Sequence, residues 1–311
     1  MDIYKTIIIG GGPAGLAAAI YTGRARLRTL VLEKVATGGQ LLLTDYVENY
    51  PGILQTEGGR LMETFLEQAQ KFGAELAYGE VHDLRPNADG YEIVTGEETY
   101  HTLSIIVATG SSHRHIGVPG EKELWGKGVS VCATCDGAFF KDQIVAVIGG
   151  GDSALTEAIF LKNLCRQVYI IHRRDELRAE QILQERAIAA SNISFCWNTV
   201  LEEIVGEKEV TSVRVKNVKT GERSEIALSA VFVAIGMTPN SGFLRPLVKL
   251  DENGFVLATH QMATSAPGIF VAGDVRSASY RQIATSVGDG VTAAMSVELW
   301  LENSGLIPAL K

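Results

Sequence analysis

Two cysteines separated by two residues are the side chains of this sequence best suited to redox chemistry. Cys132 and Cys135 lie in the run V-C-A-T-C-D-G, and this spacing allows either a small-loop disulfide or a shared metal ion. A structural zinc ion needs two further ligands, but Cys165 and Cys196 are isolated in apolar segments. We therefore expect a redox-active disulfide and no metal. Asp136 follows directly, and it is placed either to transfer a proton as a thiolate leaves or to form a turn.

The elements that position these cysteines begin with a glycine-rich turn near the start of the sequence. An apolar strand at residues 6–9 leads into G-G-G-P-A-G, a helix follows, and a strand at residues 29–32 ends in Glu33. G-x-G-x-x-G in this strand–turn–helix–strand setting is the dinucleotide-binding fingerprint. Glu33 is placed to accept hydrogen bonds from an adenosine ribose. Gly10 permits the tight turn, Gly12 lets the backbone approach the pyrophosphate, and Gly15 lets helix and strand pack closely. The candidate cofactor-binding residues of this turn are Gly10, Gly12, Pro13, Ala14 and Gly15.

The same unit recurs directly after the cysteines. A strand at residues 144–148 leads into G-G-G-D-S-A, and its first glycine lies 139 positions after the first glycine of the earlier unit. Residue 172 therefore corresponds to Glu33, and a cationic cluster replaces the acid there. Such a cluster suits a ribose 2′-phosphate, which indicates NADPH. The candidate contacts are Gly149, Gly151, Asp152, Ser153, Ala154, His172, Arg173, Arg174 and Arg178.

Both units then continue in the same way. Each has a β-rich stretch, at residues 81–94 and 193–215, followed by a short apolar strand that ends in glycine, at residues 105–110 and 231–236. The tail from about Phe243 repeats neither unit. The simplest arrangement inserts the second unit into the first, so that the tail completes the first domain. Two turn signals, Pro119-Gly120 and Pro239-Asn240, are the candidate hinge between the domains.

The tail predicts one further strand and one long helix. The strand at residues 268–272 runs into Gly273-Asp274, which places an acid where it can bind ligand hydroxyls. Apolar residues at helical spacing mark one face of the helix, and a similar stripe on an earlier helix, which ends at Gly73, predicts core packing. The two stripes are Ile283, Val287, Val291, Met295 and Leu299 in the tail, and Met62, Phe65, Leu66, Ala69 and Phe72 in the earlier helix.

The composition restricts the class of function. A chain of 311 residues suffices for two domains, and its 36 acidic against 28 basic residues, a formal charge of −8, argue against nucleic-acid binding. Apolar runs are too short for a membrane span, and the first residues predict a strand instead of a secretory signal. His113 and His115 resemble a metal pair but have no carboxylate nearby in the sequence. We therefore expect a cytoplasmic protein without nucleic-acid, membrane or metal partners.

The two nucleotide units with C-A-T-C-D between them closely resemble low-molecular-weight thioredoxin reductase, the bacterial type. The resemblance covers essentially all of the sequence. It includes five further motifs, which are G-G-Q-L at residues 38–41, V-E-N-Y-P-G at 47–52, A-T-G at 108–110, G-D-V at 273–275 and Y-R-Q at 280–282.

This resemblance implies an α/β fold with two Rossmann-like dinucleotide-binding domains, one for FAD and one for NADPH, the second inserted into the first. The FAD-binding domain is expected at residues 1–114 and 245–311, and the NADPH-binding domain, which carries the cysteines, at residues 115–244. The resemblance also implies a homodimer. The remaining candidate cofactor contacts are Gly39, Gln40, Asn49, Val81, Ala108, Thr109, Gly110, Gly273, Asp274, Arg281, Gln282 and Ile283 in the first domain, and Ile235 and Gly236 in the second.

The same resemblance implies a path for the electrons. NADPH delivers hydride to the flavin, and the reduced flavin opens the Cys132–Cys135 disulfide. Cys135 is then the thiol nearest the flavin, Cys132 attacks the disulfide of oxidised thioredoxin, and Asp136 is the acid–base residue. Because the nicotinamide and the disulfide both belong to the second domain, they are expected to reach the flavin alternately, by rotation about the two connecting strands.

Other functions are alternatives to this prediction. One is an NADPH-dependent flavoprotein reductase of another thioredoxin-like or glutaredoxin-like protein. The ferredoxin or flavodoxin–NADP reductase type lacks a C-x-x-C motif, so Cys132 and Cys135 argue against it. The flavoprotein component of peroxide reductases carries a thioredoxin-like extension before its first glycine motif, and we expect none here because that motif begins at Gly10. A non-catalytic redox sensor would need a partner-binding module outside the two units. One residue departs from the family pattern, since Thr156 stands where the family usually has an acid, and this bears on the nicotinamide side.

Overall fold

The structure is a computed structural model that describes residues 3–44, 47–96 and 98–308. The chain divides into two units, of which the first runs to Ser112 and resumes at Thr238, while the second spans His113–Met237. The domain boundaries predicted from the sequence lie after residue 114 and after residue 244. Pro119 and Gly120, one of the two predicted hinge segments, lie inside the second unit, where the carbonyl of Pro119 accepts a hydrogen bond from the amide of Ile204 at 2.9 Å.

Strands and helices alternate along much of the chain. The strands are β1 (Tyr4–Ile9), β2 (Thr29–Glu33), β3 (Glu75–Tyr78), β4 (Val81–Pro86), β5 (Tyr91–Thr95), β6 (Thr99–Val107), β7 (Ser111–His113), β8 (Val129–Ser130), β9 (Ile144–Ile148), β10 (Gln167–Ile171), β11 (Ile193–Cys196), β12 (Thr199–Gly206), β13 (Val210–Asn217), β14 (Arg223–Ala227), β15 (Ala230–Val233), β16 (Met237–Pro239) and β17 (Ile269–Val271). The helices are α1 (Pro13–Arg24), α2 (Gly58–Lys71), α3 (Ala133–Asp136), α4 (Asp152–Leu161), α5 (Gln181–Ile188) and α6 (Ile283–Asn303). In the described part of the chain, none of these helices is long and apolar enough to cross a membrane.

The first unit is built on a sheet in the order β3-β2-β1-β6, with β17 also paired to β6, and these strands are all parallel. β6 belongs to two arrangements. Its second half pairs in parallel with β1 and β17, while its first half pairs antiparallel with β5, and β4 completes that meander. Ligands of parallel sheets bind at the carboxyl ends of the strands, so this edge is where the predicted contacts belong.

The second unit repeats this design. Its parallel sheet has the order β11-β10-β9-β15-β8, and an antiparallel sheet of β12, β13 and β14 accompanies it. Along the chain this unit interrupts the first one. The predicted α/β fold with two similar nucleotide-type units, one inserted into the other, is therefore confirmed.

Backbone pairing shows that the two units are equivalent at the predicted positions. The pairs Ile9–Leu32 and Ile148–Ile171 join the two strands that flank each glycine turn. Both members of the second pair lie 139 positions after those of the first. Glu33 and His172, the next residues along each chain segment, therefore occupy matching places at the carboxyl edge of their sheets.

Three residues of the α2 stripe, Met62, Phe65 and Ala69, are buried, whereas none of the five stripe residues of α6 is among its buried residues. Met295 and Leu299 of the predicted α6 stripe are 58% and 52% exposed. The reason is a close approach to α1, because a Cβ on Gly290 would lie only 2.1 Å from the carbonyl oxygen of Ala14. Small residues must face α1 there, so apolar spacing does not identify the buried face. The buried residues of α6 are Ser286, Asp289, Gly290, Ala293, Ala294, Val297 and Leu301.

Candidate active site

Cys132 and Cys135 are joined in a disulfide, as the sequence predicts. Their sulfur atoms are 2.07 Å apart and their Cα atoms 5.3 Å apart. Cys132 is the N-cap of α3, and its carbonyl accepts hydrogen bonds from the amides of Cys135 and Asp136 at 3.3 and 3.1 Å. The hydroxyl of Thr134 lies 3.3 Å from the sulfur of Cys132. Cys132 is half-buried and Cys135 is exposed, so the disulfide is open to a reaction partner.

The carboxyl group of Asp136 is held by Ser130, a residue that no sequence motif identifies. The Ser130 hydroxyl donates to Oδ2 of Asp136 at 2.5 Å and accepts a hydrogen bond from the amide of Cys132 at 3.1 Å. Burial raises the pKa of Asp136, and the hydrogen bond from Ser130 opposes that rise. A carboxyl group with a raised pKa exchanges its proton closer to neutral pH, as an acid–base residue must.

The glycine turn of the second unit leads into α4. Gly151 is the N-cap, no described side chain caps it, and a Cβ on it would meet no described atom within 4 Å. The first amides of α4 and its positive dipole end therefore face free space, as anion binding requires. Asp152 instead supports the scaffold, since its Oδ1 accepts a hydrogen bond from the amide of Glu180 at 2.7 Å. Ser153 is exposed, and Ala154 is fully buried.

The three predicted arginines share one place at the carboxyl edge of β10. Arg173, Arg174 and Arg178 are all exposed. His172 is only 5% exposed, and its ring lies so close to Gly150 that a Cβ there would be 2.3 Å away. Burial lowers the pKa of His172, and the positive charges of the three arginines lower it further. His172 is therefore neutral, and the positive charge of the cluster comes from the arginines.

In the first unit the predicted contacts converge on the start of α1. Gly12 is its N-cap, no described side chain caps it, and a Cβ on it would meet no described atom within 4 Å. A Cβ on Gly39 would lie 3.6 Å from Cα of Gly12, and a Cβ on Gly273 would lie 2.9 Å from Cβ of Ala14. Two loops distant in sequence therefore border the glycine turn.

Other glycines of the two turns serve close packing. A Cβ on Gly10 would lie 2.3 Å from the carbonyl oxygen of Ala108, and a Cβ on Gly149 would lie 2.5 Å from that of Ala234. Gly15 packs against the turn itself, where a Cβ would lie 1.9 Å from the carbonyl oxygen of Gly10. The first glycine of each turn thus lies against the residue that follows a strand of its own unit, Ala108 after β6 and Ala234 after β15. The two strands therefore end at equivalent places.

Glu33 uses both carboxylate oxygens on backbone amides. Oε2 accepts a hydrogen bond from Gly11 at 2.7 Å, and Oε1 accepts from Lys34 at 2.7 Å and from Val35 at 3.2 Å. A carboxylate offers about four lone-pair sites, so about one site is left. The carboxylate is thus fixed beside the glycine turn with room for one hydroxyl donor.

Asp274 presents its carboxyl group from the turn after β17. Its Oδ1 accepts hydrogen bonds from the hydroxyls of Ser279 at 3.1 Å and Ser286 at 3.2 Å. Burial raises the pKa of Asp274, and these two hydroxyls oppose the rise. The two serines were not predicted, and their distance from Asp274 in the sequence gives no signal for them.

An ion pair braces this turn. Nε and Nη2 of Arg276 donate to the two carboxylate oxygens of Asp289 at 2.6 and 3.0 Å, and Asp289 also accepts a hydrogen bond from the amide of Gly273 at 3.2 Å. Both side chains are largely buried, with exposures of 20% and 9%. Asp289 therefore fixes the backbone directly before Asp274.

Replacing Asp289 with Ala is expected to lower the free energy of unfolding by about 3 kcal/mol, because it leaves the guanidinium of Arg276 largely buried without its partner. Glu80→Gln is the matched control, since Glu80 pairs with Lys34 in the same unit but is exposed. The control should be nearly neutral. Urea unfolding of both variants checks this, and equal losses would contradict the bracing role.

Hydrogen bonds also join two further pairs in the first unit. Nδ2 of Asn49 donates to Oε1 of Gln282, the N-cap of α6, at 3.5 Å. The Thr109 hydroxyl donates to the carbonyl of Asn240 at 2.7 Å, and the Asn240 side chain donates back to the carbonyl of Thr109 at 2.9 Å. The amide of Asn240 also donates to the carbonyl of Gly110 at 3.0 Å. Asn240 was predicted as a hinge residue, and these hydrogen bonds also attach it to Thr109 and Gly110, two predicted cofactor contacts.

The remaining predicted contacts lie at the ends of elements. Arg281 and Ile283 lie at the start of α6, and Val81 begins β4. In the second unit, Ile235 and Gly236 follow β15. Gln40 is exposed in the turn that borders α1. Their roles stay predictions.

Three further side chains considered for chemistry have simpler environments. Burial raises the pKa of Cys165 to about 11 and also raises that of Cys196, so neither is a ready nucleophile. His115 differs from the expectation, because its Nδ1 lies 3.4 Å from Oε1 of Glu121, a nearby carboxylate that we did not expect. The described residues contain no group of three side chains that could hold a metal ion.

Glu157 of α4 has an unusual environment for a carboxyl group. Its Oε2 is buried and has no hydrogen-bond partner among the described residues. It shares a helix face with Ala154 and Leu161, which are fully buried. Burial raises the pKa of Glu157 to about 8, so the group is mostly protonated at pH 7. Thr156, the departure from the family pattern, is exposed beside it.

Replacing Glu157 with Gln is expected to stabilise the fold increasingly as the pH rises. Because the folded pKa of about 8 exceeds the ordinary value of 4.5, the cost of ionising Glu157 is absent below that lower value and grows up to the higher one. The gain should reach about 3 kcal/mol at pH 7 and stay below about 1 kcal/mol at pH 5. Urea titrations at both pH values test this, with exposed Glu207→Gln as control. A gain that does not change with pH would contradict it.

The two glycine turns fit two different dinucleotides. Each offers free helix amides next to an open glycine, Gly12 or Gly151. At the matching place beside them, the first unit offers the hydrogen-bond acceptor Glu33 and the second offers a cluster of arginines. The first set suits an unphosphorylated ribose, and the second suits a ribose 2′-phosphate.

Comparisons with known proteins agree with this chemistry. Residues 4–290 match the family model of pyridine nucleotide-disulphide oxidoreductases. The chain is 45% identical to a thioredoxin reductase of Listeria innocua over 301 residues, which cover 96% of this chain and 94% of that protein. It is 46% identical to one of Bacillus subtilis, with 96% and 97% covered. A crystal structure of thioredoxin reductase from Streptococcus pyogenes superposes with a TM-score of 0.93 at 43% identity, covering 97% of this chain and 99% of that chain.

Two nucleotide-type units with a reactive disulfide define a flavin- and nicotinamide-dependent disulfide oxidoreductase. The chain belongs to the pyridine nucleotide-disulphide oxidoreductase family, and within it to the thioredoxin reductases. It is an enzyme whose cofactors are FAD and NADPH.

Proposed function

We propose that this enzyme reduces the disulfide of oxidised thioredoxin with electrons from NADPH. The observation that carries the proposal is the Cys132–Cys135 disulfide, which lies in the unit with the arginine cluster and leaves Cys135 exposed. The two curated relatives named above are thioredoxin reductases.

The two glycine turns would hold the two cofactors. In the first unit, the open space at Gly12 suits the pyrophosphate of FAD, Glu33 suits its ribose, and Asp274 suits a further hydroxyl. In the second unit, Gly151 and the arginine cluster suit the phosphates of NADPH. When bound, the nicotinamide supplies a hydride and the flavin passes two electrons on, which is chemistry that side chains alone do not provide.

Disulfide exchange is the work of the chain's own residues. In the dithiol state, the Cys132 thiolate attacks one sulfur of the thioredoxin disulfide, forms a mixed disulfide and releases the other sulfur as a thiolate. Cys135 then attacks the Cys132 sulfur, which restores the Cys132–Cys135 bond and frees the second thioredoxin sulfur. The enzyme dithiol loses two electrons and thioredoxin gains them. Asp136 takes up and returns a proton during these steps.

Assembly and location belong to the same proposal. A homodimer is supported by the exposed apolar side chains of Met295 and Leu299 on α6, since such patches favour protein contacts. A cytoplasmic location suits an enzyme that keeps a partner's cysteines reduced. The formal charge of −8 supports the absence of a nucleic-acid partner.

Anaerobic reduction tests the proposal. The FAD-loaded protein is mixed with NADPH or with NADH in the absence of oxygen, the flavin absorbance is followed, and oxidised thioredoxin is then added. NADPH should bleach the flavin much faster than NADH, and thioredoxin should restore the colour. Recovery with glutaredoxin but not thioredoxin would identify the other acceptor class, and failure of both nucleotides to bleach the flavin would overturn the proposal.

A further inference from the structure

One hydroxyl group links the two chemical parts of the exchange centre. The Ser130 hydroxyl both donates to the carboxylate of Asp136 and accepts from the amide of Cys132. Ser130 is only 6% exposed, so water does not compete freely for these bonds. The hydroxyl therefore connects the proposed proton carrier to the backbone of the proposed nucleophile.

Ser130 is itself held by the parallel sheet. It is the last residue of β8, where it pairs with Phe232 of β15, and its neighbour Val129 is 1% exposed. Cys135 and Asp136, by contrast, lie on α3, which has only four residues and has Cys132 as its N-cap. A single helical turn has little stability of its own, so the position of Asp136 must be set by a contact outside α3.

We propose that Ser130 is a positioning residue for disulfide exchange, which holds the carboxyl group of Asp136 in place against the turn of Cys132. This inference rests on the proposed role of Asp136 in proton transfer. The hydrogen bonds of the Ser130 hydroxyl go to the carboxylate of Asp136 and the backbone of Cys132, so Ser130 acts through Asp136. The role accounts for a buried serine two positions before Cys132.

The electrostatic surroundings of Asp136 make the inference testable by pH. Burial raises the pKa of Asp136, and the Ser130 hydrogen bond lowers it. α4, which packs against α3, carries the carboxyl groups of Asp152 and Glu157, and neither contributes to this shift. β15 and the turn Gly137–Phe140 carry no titratable side chain. Without Ser130 the effect of burial is unopposed, so the pKa of Asp136 should rise.

The experiment compares four variants in NADPH-dependent thioredoxin reduction across a range of pH. In Ser130→Ala, the limb of the pH–rate profile that Asp136 governs should move to higher pH by about one unit or more, the effect of losing a hydrogen bond to a charged group. At neutral pH, kcat should fall roughly tenfold while reduction of the flavin by NADPH stays unchanged. Ser130→Thr should retain the original profile. Ser130→Ala combined with Asp136→Asn should match Asp136→Asn alone, because both act on one group.

Ser212 provides a matched control. It is also 6% exposed, lies in the same unit, and donates a 2.5 Å hydrogen bond to the carboxylate of Glu225. Both residues belong to the antiparallel sheet of β12, β13 and β14, whereas Ser130 belongs to the parallel sheet. Ser212→Ala should leave the pH profile in place. An unmoved profile in Ser130→Ala, or an equal shift in Ser212→Ala, overturns the positioning role. Full activity of Asp136→Asn would instead overturn the proposed role of Asp136 and the inference with it.

Discussion

Replacing either Cys132 or Cys135 with serine is expected to abolish thioredoxin reduction while NADPH still reduces the flavin. Both thiols act after the hydride step, so their loss leaves that step intact. A serine hydroxyl is not deprotonated at neutral pH and forms no disulfide, so neither variant can store two electrons as a dithiol. Rapid mixing with NADPH, monitored by flavin absorbance, separates the two half-reactions, and turnover with thioredoxin should drop to background.

Cys196→Ser is the control for this pair. Cys196 is a free, half-buried thiol of the same unit, and its replacement should leave both half-reactions active. The assignment of the redox pair fails if either cysteine variant also loses reduction of its flavin by NADPH, because a residue that acts only after hydride transfer cannot affect that step. A loss of activity in all three variants would point to damage of the fold instead.

Replacing Arg173 and Arg174 together with Ala is expected to lower kcat/KM for NADPH by two orders of magnitude or more while NADH changes little. Both arginines are exposed and directly follow His172, the residue that matches Glu33. A charge-assisted hydrogen bond to a phosphate contributes roughly 1.5–3 kcal/mol, and each 1.4 kcal/mol is about tenfold. NADH lacks the 2′-phosphate, so it has no such contact to lose.

Arg223→Ala is a suitable control for general loss of charge. Arg223 is exposed in the same unit but is paired with Glu202 on the antiparallel sheet. The ratio of kcat/KM for the two nucleotides should stay unchanged in this variant. If the double variant loses activity with NADPH and NADH equally, the two arginines support the fold and do not select the nucleotide.

The features that were predictable from the sequence are those with local, repeated signals. Both glycine turns lie between strands that flank them closely in the chain, and their equal spacing predicts that His172 is the residue equivalent to Glu33. The disulfide of Cys132 and Cys135 also depends on a separation of only three positions. In each case the geometry follows from neighbours in the sequence, so spacing alone carries the information.

Contacts between distant segments were not predictable in this way. Asn240 meets Thr109 across 131 positions, and Asp289 meets Arg276 across 13, around a turn. The sequence pattern also did not indicate which face of α6 is buried, since the usual rule is that large apolar residues face the core. The close approach of Gly290 to α1 reverses that rule, and only the packing of two helices reveals it.

The short separation of the two cysteines limits how much their disulfide contributes to the stability of the fold. A covalent cross-link stabilises a protein mainly by restricting the unfolded chain, by about 2 kcal/mol for a loop of about four residues against about 4.7 kcal/mol for a hundred. The Cys132–Cys135 bond closes such a minimal loop, and Ala133 between them is 1% exposed within the apolar core around α4. Opening this bond therefore costs the fold less stability than opening a disulfide that closes a long loop. We therefore expect the fold to persist while the Cys132–Cys135 bond is broken and remade at every turnover.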